Sequence, residues 1–341
     1  MLSRACVIGC KPEATMGTDS APGAATTGDP IVVYGLDFDP LSGSTSLDRS
    51  PMSVALSCQT PIPGLLSGSL SFRVPLSGAS AAATAPPWGR FMLGAGFKQT
   101  VTGSTSIAYA PTSTYLNSST FDPGASFLGM DTLTFYVWAN DVAGAASGKL
   151  YKLLGCMGKL KLAFKNGEPV TLSFDFDGVY SAPTTVSFPA VSIVTHQAPK
   201  PLLNASLRFT PSGGSDHFPV LRSLEIDMGN RVEMNPDAHA DSGFTHACLI
   251  DRKPKFSLVI EEPTIDGQNW WGNFTAGTTG AITIGPVGTV GGNRWTVTMP
   301  NVGIAKVSSS ASGGLRSMTI DGVMAPSDID TGSDEFTLTI D

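Results

Sequence analysis

The sequence predicts an all-β fold of two sandwich- or barrel-like domains, each with at most a short helix. Three observations carry this. Short runs of strict apolar/polar alternation recur along the 341 residues and are separated by turns rich in Gly, Pro and Ser. Charged residues make up 14% of the chain, well below the roughly 25% of ordinary globular proteins, while Gly (38) and Pro (25) are abundant. A β-unit in the middle of the chain is echoed near its end, as set out below.

That unit is the hairpin over residues 155–183. Leu160, Leu162 and Phe164 share one face with Lys159, Lys161 and Lys165 on the other; Val170, Leu172, Phe174 and Phe176 then oppose Thr171, Ser173, Asp175 and Asp177. Asn166-Gly167 signals the turn, and alone would suggest a two-residue loop. Such a loop would set Leu162 against Thr171 and mix the two faces. A three-residue loop (166–168) instead pairs Phe164 with Val170, Leu162 with Leu172 and Leu160 with Phe174, and sets Lys159 across from Asp175. The echo lies 144 residues on. Asp177-Gly178-Val179 with Pro183 returns as Asp321-Gly322-Val323 with Pro326, after strands Val302 to Ser308 and Leu315 to Ile320 around Gly313-Gly314. This predicts duplicated domains.

The other elements follow in order. Ala5 to Ile8 is a strand within an N-terminal arm (1–30). Its Thr15 to Asp29 stretch reads as flexible, or as ordering only against a neighbour. Ile31 to Phe38, Met52 to Ser57 and Gly68 to Val74 are strands. Pro87 opens a helix in which Trp88, Phe91, Met92 and Ala95 recur at helical spacing and Gly96 caps the end. Trp88 and Phe91 are thus core candidates, with Leu160, Leu162, Phe164, Leu172 and Phe174. Gln99 to Asp131 reads as a weakly structured arm holding one short strand, Ile107 to Tyr109. Leu133 to Trp138 leads into the hairpin. Val186 to Val194 and Leu203 to Phe209 precede the linker Pro211-Ser-Gly-Gly-Ser-Asp216. The domains are placed at 31–190 and 191–341, with the boundary in the 184–200 region. The second half holds strands Ser223 to Met228, Phe256 to Ile260, Ala281 to Ile284, Trp295 to Met299 and Phe336 to Ile340.

Composition excludes several functions. The net charge of −7 leaves no basic stripe for ordinary nucleic-acid binding. Five scattered cysteines do not form a disulfide framework, and no apolar run nears the ~20 residues of a membrane span. Val7-Ile8-Gly9-Cys10 resembles a lipoprotein cleavage site, but the apolar stretch before it is too short for a signal peptide. Asp237, His239, Asp241, His246 and Cys248 form the densest set of potential metal ligands, but their spacing matches no known site and the segment 237–248 reads as a polar loop. Gly144 to Leu150 falls one residue short of a phosphate loop and lacks its Ser or Thr, and no Gly-x-Ser-x-Gly elbow exists. Trp270-Trp271 could stack on sugars or bases, though a core or subunit role is the plainer reading. No catalytic residue, metal or cofactor is expected.

The ordered motifs resemble those of tail tube proteins of long, non-contractile tailed phages. The resemblance runs from Met1-Leu2-Ser3-Arg4 and Lys11 to Asp19, through Leu41 to Arg49, Gly68 to Gly78, Pro87-Trp88-Gly89-Arg90, Gly94 to Phe97 and Tyr109 to Ser113. It continues with Gly167-Glu168-Pro169, Phe174 to Tyr180, Gly229-Asn230-Arg231-Val232 and Ile250 to Pro254. Cys58 and the Ser-rich 99–131 stretch depart from the pattern. The resemblance implies a virion protein, made in the host cytoplasm, that stacks as rings around a β-barrel lumen through which DNA is ejected without being specifically bound. Duplicated domains would make each ring a pseudo-sixfold trimer. Other implied partners are the tape measure protein and the tail terminator or distal tail proteins. The hairpin's polar face (Lys159, Lys161, Lys165, Asp175, Asp177) is then the candidate channel wall. The alternative is a baseplate- or capsid-associated module that binds glycan or protein.

Overall fold

The computed structural model describes residues 6–24, 29–49, 59–79, 81–112, 130–140, 147–187, 190, 197–312, 314–328 and 332–341. The first half holds β1 (Cys6–Pro12), β2 (Pro30–Ile31), β3 (Tyr34–Asp39), β4 (Ser46–Leu47), β5 (Ile62–Pro63), β6 (Ser67–Pro75) and helix α1 (Gly89–Gly94). It continues with β7 (Phe97–Thr102), β8 (Ser106–Pro111), β9 (Leu133–Asn140), β10 (Ser147–Lys165) and β11 (Thr171–Ser187). The second half holds β12 (Leu207–Pro211), β13 (Leu221–Asp227), β14 (Asn230–Pro236), β15 (Phe244–Arg252), β16 (Lys255–Glu261) and helix α2 (Trp270–Ala276). β17 (Thr279–Val287), β18 (Trp295–Ser312), β19 (Leu315–Met324) and β20 (Thr337–Ile340) complete it.

The all-β class is observed. Sixteen strands join in one antiparallel sheet whose spine runs β3-β6-β11-β10-β13-β16-β19-β18. β10 and β18 are long enough to change partners along one edge. β10 pairs β9 through Cys156 and then β13 from Lys161. β18 pairs β20 through Thr298 and then β19 from Val302 on one edge, with β17 on the other through Gly303. On the far sides of β9 and β17 lie β1 and β12. The two halves therefore share a strand order, β3-β6-β11-β10-β9-β1 in the first and β13-β16-β19-β18-β17-β12 in the second. In each, a short helix follows the second strand of that order.

The hairpin has the register that the alternation requires. Leu162 faces Leu172, Leu160 faces Phe174 and Lys159 faces Asp175, with Gly167 at φ +79° in the turn. Midway along β10 the strand bulges against both neighbours, between Leu154 and Met157 and between Leu153 and Cys156. Gly155 makes this possible. Its φ is +58°, and a Cβ there would lie 2.6 Å from the His246 Cβ.

One contiguous core draws on both halves. Leu160, Leu162, Phe164, Leu172 and Phe174 are buried, as are Trp88, at the N-cap of α1, and Phe91 within it. The Phe91 ring packs 4.6 Å from Phe72 and 5.4 Å from Phe174. In the second half Trp270 of α2 lies 4.5 Å from Phe209.

Four local expectations need correction. The 99–131 stretch is not uniformly irregular. Residues 97–111 form the β7–β8 hairpin, held by pairing of β8 with the C-terminal β20; residues 113–129 lie outside the described residues. Ile31 to Phe38 is not one strand but β2 and β3, on different neighbours. The polar loop assigned to 237–248 is shorter, because β15 begins at Phe244 and pairs with β14. Finally, the described part of the arm is anchored on its own chain, through Glu13, Asp19 and Asp29. Met52 to Ser57, Cys58, Gly144 and residues 191–194 lie outside the described residues.

Candidate functional site: the polar face of the sheet

Because antiparallel partners project to the same face, the pairing registers align side chains in rows across the spine. One row runs Arg73, Ser173, Lys161, Asp227, Lys255 and Val323. The next runs Thr171, Ala163, Glu225, Ser257, Asp321 and Lys306. A third, within the first half, runs Asp37, Ser71, Asp175 and Lys159. Each base in these rows stands beside a carboxylate or a serine, and like charges do not stand side by side along a row. The middle of this face is a trough of about 560 Å³, lined by Lys161, Asp227, Lys255 and Asp321 among others.

Lys159, Lys161, Lys165, Asp175 and Asp177 all lie on this face, half-buried or exposed. Lys161 Nζ is 3.1 Å from Asp227, and Lys165 Nζ donates to Glu168 at 2.5 Å. Lys159 faces Asp175 in register, but its closest carboxylate is the diagonal Asp177, at 3.9 Å. Burial pushes the Asp177 carboxyl above the usual range; Lys159 opposes the shift and Asp175 adds to it. Exposed pairs of this kind contribute about 0–1 kcal/mol each, so their consequence is a locally balanced surface rather than stability.

Asp237, His239 and Asp241 sit in the β14–β15 turn, where Asp237 accepts from the His239 backbone at 2.8 Å, while His246 and Cys248 lie along β15. Among the described residues no three His, Cys, Asp or Glu side chains converge on a metal position. Burial raises the pKa of the Cys10 and Cys156 thiols, which keeps them protonated and unreactive. Trp270 is buried while Trp271 is 42% exposed, so the two rings make no paired stacking platform.

A phage tail tube protein family matches residues 3–285. The chain belongs to the phage tail tube protein family. Its place is therefore in the virion tail, and its family is structural rather than enzymatic. No curated protein matches the chain. No described helix is long and apolar enough to cross a membrane.

In this tail tube family member, sequence reasoning missed the residues that fix the arm beside the hairpin. The buried Glu13 carboxylate accepts four hydrogen bonds: from the Thr132 hydroxyl at 2.6 Å, the Thr134 hydroxyl at 2.7 Å, Gly17 N at 2.7 Å and Gly155 N at 2.8 Å. Asp19 accepts from Tyr136 at 2.6 Å and Lys152 at 2.9 Å. Burial alone would raise its pKa, but these hydrogen bonds outweigh burial and lower it. Asp29 accepts from Arg90 of α1 at 2.6 Å. Charge-assisted bonds of this kind order a polar segment that has little apolar surface to bury. The only sequence signal was the Lys11 to Asp19 motif itself.

Proposed function

We propose that this chain self-assembles into stacked rings that form the tail tube, with the polar face of its sheet lining the channel. The observation that carries this reading is the continuity of that face across both halves. One side of the spine faces the buried core, and the other presents the polar rows that run from the first half into the second. Such a wall suits passing DNA. Each base sits beside a carboxylate or serine, so phosphates find no run of unopposed bases to displace counterions from. Closing the sheet would also remove its edges.

The shared strand order supports reading residues 31–190 and 191–341 as two copies of one unit, joined where β10 meets β13. The Asp-Gly echo falls at equivalent places, since Asp177 pairs with Ser69 and Asp321 with Ser257. Three chains per ring then present six units to the channel. Assembly in the host cytoplasm, and contacts with the tape measure protein and with terminator or distal tail proteins at the tube ends, complete the proposal. A glycan-binding module loses its main support with Trp270 inside the core.

Reversing Asp175 and Asp177 to Lys tests the channel assignment. Both side chains reach solvent, so the double variant is expected to fold and assemble. Infectivity is expected to fall by about tenfold or more, because unopposed lysines repeated at every ring would hold phosphates. Full infectivity from tubes carrying both reversals would remove this face from the channel wall.

A further inference from the structure

Helix α2 differs from α1 in what lies over it. In the first half the chain continues from α1 into the β7–β8 hairpin. There β1 and β7 pack on the helix, and Gly89, Phe91, Met92 and Gly94 are all buried. In the second half α2 runs straight on to β17, with no inserted hairpin, and buries Trp270 alone. Trp271 and Phe274 stand three residues apart, on one side of the helix, and remain 42% and 41% exposed. The surface around them is neutral, since residues 267–293 contain no charged side chain. Asn269 supplies a fixed amide beside the pair. Its Oδ1 accepts from Gly272 N at 2.8 Å, and its Nδ2 lies next to Gly272, where a Cβ would come within 2.7 Å of it. The missing side chain leaves that donor uncovered.

We propose that Trp271 and Phe274 form a carbohydrate platform that takes one face of an uncharged pyranose unit of a polysaccharide. The C–H groups on that face carry partial positive charge and pack on the negative face of an aromatic ring, while the sugar hydroxyls accept from an amide such as that of Asn269. The size of the patch decides against a second copy of the chain as its occupant. Exposed to this extent, two aromatic side chains of 150–250 Å² leave about 120–200 Å² open, far below the ~800 Å² that each partner of a specific protein interface covers. Trp270 takes no part, since its ring packs on Phe209 inside the core. That anchoring places the Trp271 side of α2 away from the polar face, and so on the outside of the tube if the tube reading holds. A lone site of this size binds weakly. Repeated in every chain of a tube it gains by multivalency, by about 10²–10⁴-fold, enough to hold a tail along a glycan-coated surface.

Saturation-transfer NMR of the unaltered protein tests this, with the methyl pyranosides of glucose, galactose, mannose and N-acetylglucosamine as probes. At least one is expected to receive saturation. Trp271→Ala is expected to weaken its binding by about fivefold or more, the loss of one aromatic contact, while Trp271→Phe keeps an aromatic face and retains most of it. Both side chains reach solvent, so the variants are expected to melt with the parent; Phe274→Ala gives the same readout should Trp271→Ala not fold. No response from any of the four probes, or an equal response from the parent and both alanine variants, would overturn the platform. So would folded alanine variants that no longer assemble although the parent does, because the pair would then be a subunit contact. Each of these results leaves the tube reading standing. Sugar binding by a parent chain that forms no tube would overturn the tube reading alone.

Discussion

Trp88→Ala is expected to lower the unfolding free energy by about 3–5 kcal/mol, the cost of emptying a large aromatic site in a packed core. Trp88 is fully buried, its ring lies 5.5 Å from Tyr109, and its indole N–H donates to the Ser77 carbonyl at 2.8 Å. Truncation leaves a cavity and a carbonyl without that donor. Helix α1 cannot compensate locally, being six residues long with no side-chain cap and no acidic residue in its first turn. Its existence depends on what Trp88, Phe91 and Met92 bury. Phe91→Ala should cost a similar amount, since its ring contacts Phe72, Phe135, Phe174 and Phe176. Thermal or urea unfolding of the monomer measures both. An unchanged melting temperature with blocked polymerisation would instead make Trp88 an assembly contact.

Glu13→Ala should have an effect of comparable size for the opposite physical reason. The substitution leaves four donors without their acceptor: two threonine hydroxyls on or beside β9 and the backbone N–H groups of Gly17 and Gly155. Each buried donor left without an acceptor costs about 1–3 kcal/mol, and several are lost at once. Gly155 also forms the β10 bulge, so the damage should extend from the arm into the hairpin. Glu13→Gln keeps one carbonyl acceptor and should lose less. Limited proteolysis of the monomer provides the local readout, with cleavage within residues 15–24 of the alanine variant and protection in the parent. Equal protection in both would show that the arm is held by Asp19 and Asp29 without Glu13.

What was legible in the sequence was what local pattern determines. The hairpin's alternation and its Asn-Gly turn are sufficient to set register, because a one-residue slip would exchange the faces of every side chain from Leu160 to Phe174. The α1 helix was readable from Pro87 to Gly96 because one apolar stripe and one capping glycine, at φ +79°, define it. Helix α2 carried comparable marks, with Asn269 accepting from Gly272 N at 2.8 Å and Gly277 at φ +63°. Its seven residues bury Trp270 alone among their side chains, so no apolar stripe announced it. Elements fixed by distant partners were less visible. β7 and β8 look like a Thr- and Ser-rich arm until β20 supplies the pairing that buries Ile107 and Tyr109. Glu13 is an ordinary polar residue until Thr132 and Gly155 fold onto it. The polar face divided in the same way. Its five hairpin residues followed from alternation, whereas Asp227, Lys255, Asp321 and Lys306 join it only through long-range registers.

The central claim is that copies of this chain close into a tube walled by the polar face. Electron cryomicroscopy of assembled particles, averaged down the tube axis, tests it most directly. The expected result is a closed ring of three chains whose channel is lined by the row containing Lys161, Asp227 and Lys255. Rings of six chains would contradict the two-unit reading, and a channel lined by any other face would contradict the account as a whole.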